Sequence, residues 1–386
     1  MSHLRTTSWP SDRNHPVLAV SMGDMNGIGP EVILRSLKAR PVTRAGIRIY
    51  GPATVLEYYA ERMEMEPFWS VQDASPAGHG SPAESVVPDR SSFTAEPSPP
   101  AKSSSLPETP GSASASASPQ PGEVLLVPSP PPEEPVSPGE TTAEAGACSM
   151  QAVKAAVSAC IAGEADAVVT APISKEAIHK AGYRVPGHTE YLAELTRTTR
   201  AGMMLVNNEM RIGLATIHIP LRDVAGSITM EGIRQQLELF HNTLKTCFGI
   251  ARPKIAVLGL NPHAGDGGVL GLEEQQIIAP AIARFRESGR EVTGPWPADG
   301  FFASGGHRDA DMVLAMYHDQ GLIPLKLSGF ASGVNVTAGL PLIRTSPDHG
   351  TAFSIAGKNR ADAGSMSAAL SLALQMVIRI TASSDD

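Results

Sequence analysis

Val17-Leu-Ala-Val-Ser21 leads directly into Met22-Gly-Asp-Met-Asn-Gly-Ile-Gly-Pro30, and a helical pattern follows as far as Ala39. Pro30 suits the start of that helix, since a proline there loses no intrahelical hydrogen bond. The glycine-rich turn lacks the G-x-G-x-x-G order of a dinucleotide-binding fingerprint, so it argues against a classical Rossmann domain. A turn whose amides face an anion at the helix N-terminus is the alternative.

The alternation of short apolar strands and amphipathic helices continues along the chain. Strands are predicted at residues 167–170, 203–206, 211–215, 254–260, 312–316 and 334–338, and Asn207-Asn208 joins two of them in a hairpin. Helices are predicted at residues 151–162, 230–248, 273–289 and 365–381. This order predicts an α/β protein with a largely parallel sheet.

One long segment, residues 75–138, departs from this pattern. It is rich in Ser, Pro, Ala and Gly, and it contains roughly half of the 33 prolines in the chain of 386 residues. Such a composition cannot bury enough apolar area to offset the entropy of ordering it. We therefore predict a disordered surface insertion, with a possible strand at residues 124–127; a regulatory docking segment is the alternative.

Charge and composition exclude several classes of protein. The 31 basic and 39 acidic residues give a net charge of −8, which argues against nucleic acid or an anionic membrane as a partner. The longest apolar runs are far shorter than a membrane span, and the polar N-terminus has no secretory apolar region. Cys148, Cys160 and Cys247 form no close-spaced pair, which fits a reducing compartment. We therefore expect a soluble cytoplasmic protein.

Three histidines share one context, because each follows a predicted buried strand. These are His218, His263 and His318. Ligands of open α/β sheets bind outside the carboxyl ends of the strands. Three imidazoles that converge there would bind a divalent metal such as Zn²⁺ and leave positions open for a substrate. The alternative is that each histidine is an ordinary loop residue.

Other polar residues suit an anionic ligand. The loop 261–268 is rich enough in glycine to bring backbone amides close to a ligand, although a plain tight loop is the alternative. Lys326, Asn335 and Arg344 recur at nine-residue intervals and supply two cations and an amide, a set suited to a phosphorylated acid. Taken singly, Lys326 and Arg344 would be expected as solvated surface charges.

Eight motifs occur in a fixed order and cover nearly the whole chain outside the N-terminal tail and the insertion. They are Gly23-Asp24 with Gly27-Ile-Gly-Pro-Glu31, Thr170-Ala-Pro-Ile-Ser-Lys175, Gly187-His-Thr-Glu190, His218-Ile-Pro-Leu-Arg-Asp223, Gly259-Leu-Asn-Pro-His-Ala-Gly-Asp-Gly-Gly268, Tyr317-His-Asp-Gln-Gly321, Gly333-Val-Asn335 and Gly339-Leu-Pro-Leu-Ile-Arg-Thr-Ser-Pro-Asp-His-Gly350. Together they resemble the 4-hydroxythreonine-4-phosphate dehydrogenase (PdxA) family of pyridoxal 5′-phosphate biosynthesis.

The resemblance implies a fold like that of isocitrate and isopropylmalate dehydrogenases. In such a fold, two α/β/α domains enclose an active-site cleft, and neither of them is a classical Rossmann domain. Residues 1–15 form a flexible tail, and residues 16–386 form one catalytic unit of two interwoven α/β subdomains that contains the insertion. The family is homodimeric, with active sites at the subunit interface.

The resemblance also implies roles for nine residues. The metal ligands are His218, His263 and His318, one of them from the neighbouring subunit. If His218 and His318 belong to different chains, mixing the inactive His218→Ala and His318→Ala variants should restore part of the activity. The substrate contacts are His188, Thr189, Lys326, Asn335 and Arg344. Lys326 and Asp319 are candidates for the general base, and no cofactor-binding residue is assigned.

The implied reaction is an oxidation by NAD or NADP that depends on one divalent metal ion per site (Zn, Mg or Co). 4-Phosphooxy-L-threonine becomes 2-amino-3-oxo-4-phosphobutanoate, a β-keto acid that loses CO₂ to give 3-amino-2-oxopropyl phosphate. One alternative is a dehydrogenase of threonate or erythronate 4-phosphate. Another is a non-catalytic binding protein with the same fold.

Overall fold

The centre of the molecule is a mixed sheet, seen in a computed structural model that describes residues 14–39, 42–72, 118–329 and 332–382. In chain order the strands of this described part are β1 (Val17–Ser21), β2 (Gly46–Pro52), β3 (Ser70–Val71), β4 (Val124–Ser129), β5 (Ala167–Thr170), β6 (Gly202–Val206), β7 (Arg211–Leu214), β8 (Lys254–Leu258), β9 (Glu291–Trp296), β10 (Met312–Ala315), β11 (Val334–Ala338) and β12 (Ile343–Pro347). They form one sheet in the order β3-β4-β2-β1-β5-β12-β11-β6-β7-β10-β8-β9. Residues 14–71 and 118–382 belong to one compact unit.

The sheet is largely parallel, as the sequence predicts, but it reverses direction in the middle. β11 pairs antiparallel with both β12 and β6, and β6 pairs antiparallel with β7 through the hairpin at Asn207. On one side, β1, β5 and β12 are parallel neighbours; on the other side, β7, β10 and β8 are parallel neighbours. The two parallel sets therefore run in opposite directions.

Helices cover both faces of the sheet. They are α1 (Gly29–Ala39), α2 (Ala53–Arg62), α3 (Ala143–Ala162), α4 (Lys175–Lys180), α5 (His188–Leu195), α6 (Leu221–Ser227), α7 (Met230–Thr246), α8 (Ala279–Glu287), α9 (Ala298–Ala303), α10 (His318–Gly329) and α11 (Gly364–Ala382). Strand β1 shows the layering: Leu18 and Val20 pack into the largest apolar cluster, while Val17 and Ala19 pack into a second one. Successive side chains of a strand point to opposite faces, so β1 is buried on both.

The predicted disordered segment, residues 75–138, extends too far towards the C-terminus. Residues 118–138 are described, and β4 lies between β2 and β3 in register with β2. Leu126 is fully buried, so the apolar island at 124–127 is a strand of the sheet. The rest of that segment, residues 75–117, and residues 1–13 of the predicted tail lie outside the described residues. His15 of the tail is buried, and its Nε2 lies 2.9 Å from the carbonyl oxygen of Pro119.

Two helices, α3 and α11, are long and apolar enough to cross a membrane by length and composition. Both are layers of the α/β fold, because α3 packs on β1 and β2, and α11 packs on β12 and β5. Helix α3 begins earlier than residue 151, where the sequence predicts it, because Thr142 caps it by accepting a hydrogen bond from the Ala145 amide. These contacts place both helices against the central sheet.

The glycine-rich turn between β1 and α1 has a structural role. The Gly27 amide donates to the Asp24 carbonyl oxygen, and the Ile28 amide donates to the Thr351 carbonyl oxygen. Asp24 Oδ1 accepts from the Asn26 amide at 2.9 Å. Since these amides bond within the protein, the anion-binding alternative for this turn is not supported.

Candidate active site

A cavity of about 380 Å³ lies against the central strands β5, β12, β11 and β6. Six residues singled out from the sequence line it: His188, Thr189, His218, Lys326, Asn335 and Arg344. Four further charged or titratable residues line it without having been assigned a role: Lys175, Glu190, Asp348 and His349. All four belong to motifs quoted above, but only the way those motifs come together in space identifies them as cavity residues.

Arg344 is the most unusual residue of the cavity. It is 2% exposed, and β12 holds it between β5 and β11, where Nη2 donates to Thr170 Oγ1 at 2.6 Å and Nη1 donates to Thr337 Oγ1 at 3.0 Å. Burial lowers the pKa of its guanidinium to about 9, so it remains a cation at neutral pH. No carboxylate pairs with it among the described residues, and its Nε atom has no hydrogen-bond partner there. A buried cation of this kind requires an anion.

Helix α5 begins beside Arg344 with His188, as the motif Gly187–Glu190 suggested. Within the described chain, no side chain caps this helix N-terminus, and His188 Nε2 is buried without a hydrogen-bond partner. Burial first, and then the charge of Arg344, hold the pKa of His188 well below its usual value. A neutral imidazole and uncapped helix amides are both suited to receive a phosphate or carboxylate.

Two of the three predicted metal ligands lie together. His218 follows β7 and His318 begins α10 after β10, and their ring centroids are 5.5 Å apart in the same chain. Burial, Lys175 and His318 together lower the pKa of His218, which favours the neutral form that binds metals. Asp319 Oδ1 lies 2.6 Å from His318 Nδ1, the contact that typically orients a metal-ligating histidine and directs Nε2 to the ion.

His263 is separate from this pair. It is exposed on the turn after β8, and no group of three His, Cys, Asp or Glu side chains that could hold a metal occurs in residues 14–39, 42–72, 118–329 and 332–382 of one chain. The proximity of His218 and His318 within one chain argues against a shared site that takes these two ligands from different subunits. Because β8 and β10 are parallel neighbours, the His263 turn lies at the same edge of the sheet as His318.

Lys326, Asn335 and Asp348 form the remaining polar part of the cavity. Lys326 Nζ is 3.8 Å from Asp348 Oδ2. Burial raises the pKa of Asp348, and the charge of Lys326 opposes that rise. Asn335 Oδ1 is buried without a hydrogen-bond partner in the described structure, so it can accept a bond from a ligand. Asp319, the other base candidate, is mostly exposed and does not line the cavity.

A largely parallel α/β sheet that reverses in its centre, with a cavity that contains a buried arginine beside paired histidines, characterises this class of protein. The chain belongs to the PdxA family: the family model described as "Pyridoxal phosphate biosynthetic protein PdxA" matches residues 90–373. The assignment made from the eight motifs is confirmed, and with it the α/β fold class and the class of enzyme, an oxidoreductase.

Named relatives agree with this assignment over most of the chain. The 4-hydroxythreonine-4-phosphate dehydrogenase of Desulfosudis oleivorans is 40% identical over 93% of this chain and 95% of its own length. That of Burkholderia vietnamiensis is 49% identical over 63% of this chain and 75% of its own length. The crystal structure of the Klebsiella pneumoniae enzyme superposes with a TM-score of 0.75 at 36% identity, covering 95% of this chain and 99% of the other.

Proposed function

We propose that this chain oxidises 4-phosphooxy-L-threonine with NAD⁺ or NADP⁺ to 2-amino-3-oxo-4-phosphobutanoate. The hydrogen on the alcohol carbon leaves as hydride to the nicotinamide, and the hydroxyl proton leaves to a base. The product is a β-keto acid, so loss of CO₂ moves the bond electrons onto the new carbonyl oxygen as an enolate, and a proton taken up at carbon then gives 3-amino-2-oxopropyl phosphate. The names of the relatives support this substrate.

The observation that carries the proposal is the buried Arg344 beside the N-terminus of α5. A phosphate group satisfies the Arg344 Nε–H and the uncapped amides of α5 at the same time, and His188 and Thr189 lie next to it. A substrate with a phosphate at one end and an alcohol near the other then extends along the cavity towards His218. This arrangement selects a phosphorylated acid over an uncharged alcohol.

A divalent metal fits the residues at the other end. His218 and His318 would hold it together with His263 of a second subunit, and the Asp319–His318 contact supports this role. The ion supplies a positive charge that lowers the pKa of the substrate hydroxyl. Of the two base candidates, Lys326 is better supported because it lines the cavity, whereas Asp319 orients His318.

Asp348 supports an amino acid phosphate over a sugar-acid phosphate as the substrate. Its carboxylate lies in the cavity near Lys326 and His318, and it can receive the ammonium group of an amino acid in a charge-assisted hydrogen bond. Threonate and erythronate 4-phosphates present a hydroxyl there instead. We therefore propose the amino acid phosphate as the substrate and keep the sugar-acid phosphates as the alternative.

The proposed active unit is a homodimer. Large apolar side chains are exposed on the segments that follow all three histidines; they are Ile219, Leu221, Val269, Leu270, Leu272, Ile323 and Leu327. A second copy of the chain would cover them and bring its His263 to the His218–His318 pair, which lacks a third ligand within the described residues of one chain. The proposed compartment is the cytoplasm, in keeping with the expected absence of membrane and nucleic-acid partners.

The test measures NADH or NADPH formation with 4-phosphooxy-L-threonine and with erythronate 4-phosphate, before and after metal removal by a chelator. Turnover should require metal and favour the amino acid phosphate. Arg344→Lys should raise the KM by about tenfold to hundredfold, since a hydrogen bond to a charged group contributes ~1.5–3 kcal/mol. Arg48→Lys is the matched control, because Arg48 is buried on β2 but does not line the cavity. No oxidation of either substrate with any of the three metals would refute the proposal.

A further inference from the structure

The turn that presents His263 has a backbone conformation that is rare in proteins. Five consecutive residues, His263 to Gly267, have φ angles of 53°, 52°, 82°, 46° and 65°. Left-handed residues normally occur singly and are mostly glycine, yet His263, Ala264 and Asp266 carry side chains. A strained turn of this kind persists only when surrounding groups hold it.

A buried carboxylate, Glu274, binds the segment before this turn and lies close to Gly265 within it. Its Oε1 accepts hydrogen bonds from the amides of Leu260 and Asn261 at 2.7 Å each, and its Oε2 accepts from Asn261 Nδ2 at 2.9 Å. Glu274 is only 3% exposed. On the other limb, a Cβ at Gly265 would lie 2.7 Å from Glu274 Oε2, so the glycine there lets the carboxylate approach.

Glu274 itself occupies a specialised position in the chain. It begins a π-helical turn, Glu274–Ile278, that directly precedes α8; such turns are frequent at functional sites. A second contact ties the base of the His263 turn to α10: Gln320 Nε2 donates to the Gly259 carbonyl oxygen at 2.7 Å, and Gln320 Oε1 accepts from the Met316 amide at 2.7 Å. Gln320 lies two residues after His318, so the two histidine segments are linked.

We propose that Glu274 is a positioning residue that holds His263 in its exposed, left-handed conformation for binding metal in the partner subunit. The inference rests on the proposed function. A buried carboxylate is costly unless its hydrogen bonds are satisfied, and here three donors come from residues 260 and 261, three and two residues before the histidine. Through them, Glu274 lowers the entropy that His263 loses on binding the ion.

The test compares Glu274→Gln with Ile278→Val in the full-length dimer. Ile278 is fully buried in the same π-helical turn, so its variant loses packing without changing the His263 turn. The measurements are Zn²⁺ affinity, by competition with a chromophoric chelator, and the visible absorption spectrum of bound Co²⁺. Glu274→Gln should weaken metal binding by about tenfold or more and alter the Co²⁺ spectrum, as loss of outer-shell partners does at other sites. Ile278→Val should lower thermal stability alone.

A folded Glu274→Gln dimer with wild-type metal affinity and spectrum would overturn the inference. If Glu274→Gln does not fold, Glu274→Asp keeps the charge at a shorter reach and should show an intermediate affinity. Loss of folding in both variants, with Ile278→Val intact, would show that Glu274 holds the fold and would equally overturn the inference. A wild-type dimer that binds metal but oxidises neither substrate refutes only the proposed function.

Discussion

Mixing inactive subunits should restore activity for one pair of variants and not for another. The pair of variants expected to recover activity when mixed is His263→Ala and His218→Ala. Each homodimer lacks a ligand in both of its sites. His218 and His318 lie 5.5 Å apart in one chain, whereas His263 is separate, so a mixed dimer has one site with both lesions and one with neither.

The expected recovery follows from this division. Random exchange makes half of the dimers mixed, and each has one intact site of two, so activity should approach about a quarter of wild type. The matched control mixes His218→Ala with His318→Ala. Those two ligands belong to one chain, so every site of the mixed dimer keeps one lesion and the mixture should stay inactive.

The assay is NADH or NADPH formation after subunits exchange under mild denaturant, with exchange verified by mass-tagged subunits. Metal content should recover in parallel with activity, which separates a restored site from a contaminating enzyme. Recovery in the His218 and His318 mixture, or none in the His263 and His218 mixture despite complete exchange, would refute the assignment of ligands to subunits.

Three further predictions concern other parts of the chain. Replacing residues 73–117 by a short Gly/Ser linker should leave kcat within a few-fold, because each doubling of loop length contributes only ~0.6 kcal/mol; loss of folding would show that the segment packs against the enzyme. Burial raises the pKa of Asp24 from its usual 3.8 to about 6, so the Asp24 carboxylate destabilises the fold increasingly as pH rises from about 4 to 6. Asp24→Asn should therefore raise the free energy of unfolding by about 3 kcal/mol at pH 7.5 and by less at pH 5. The measurement is a higher Tm than that of the exposed control Asp309→Asn. Asp348→Asn should lower kcat/KM for the amino acid phosphate at least about tenfold while sparing erythronate 4-phosphate, and equal losses would refute its contact with the ammonium group.

The fold was predictable because its strands are short, apolar and separated by glycine-rich turns. Strands β1, β5 and β11 occur at the predicted residues, and the hairpin at Asn207 connects β6 to β7. The limit of the insertion was not predictable: the apolar residues 124–127 indicated a strand, but only the pairing of β4 with β2 shows that this strand belongs to the sheet. Amino-acid composition predicts the local properties of a segment, whereas the pairing of a strand depends on residues far away in the chain.

The site was predictable only in part, for physical reasons. Singly, Arg344 resembles a surface charge, but it is 2% exposed because the strands on either side bury it. The three histidines follow neighbouring strands as expected, yet local sequence does not reveal the left-handed turn that separates His263 from the other two. Glu274 lies in a polar stretch, Glu273 to Gln276, and only its contacts with residues 260 and 261 distinguish it from its neighbours.

The reversal of direction in the middle of the sheet places the proposed anion-binding residues and the paired histidines on two different halves of the sheet. Arg344 and the start of α5 belong to the half with β5 and β12, whereas His218 and His318 follow β7 and β10 in the other half. In the proposed function, recognition of the phosphorylated end and oxidation of the alcohol therefore depend on separate sets of loops. Evolution or design could change the accepted anion through the first set without disturbing the redox chemistry of the second.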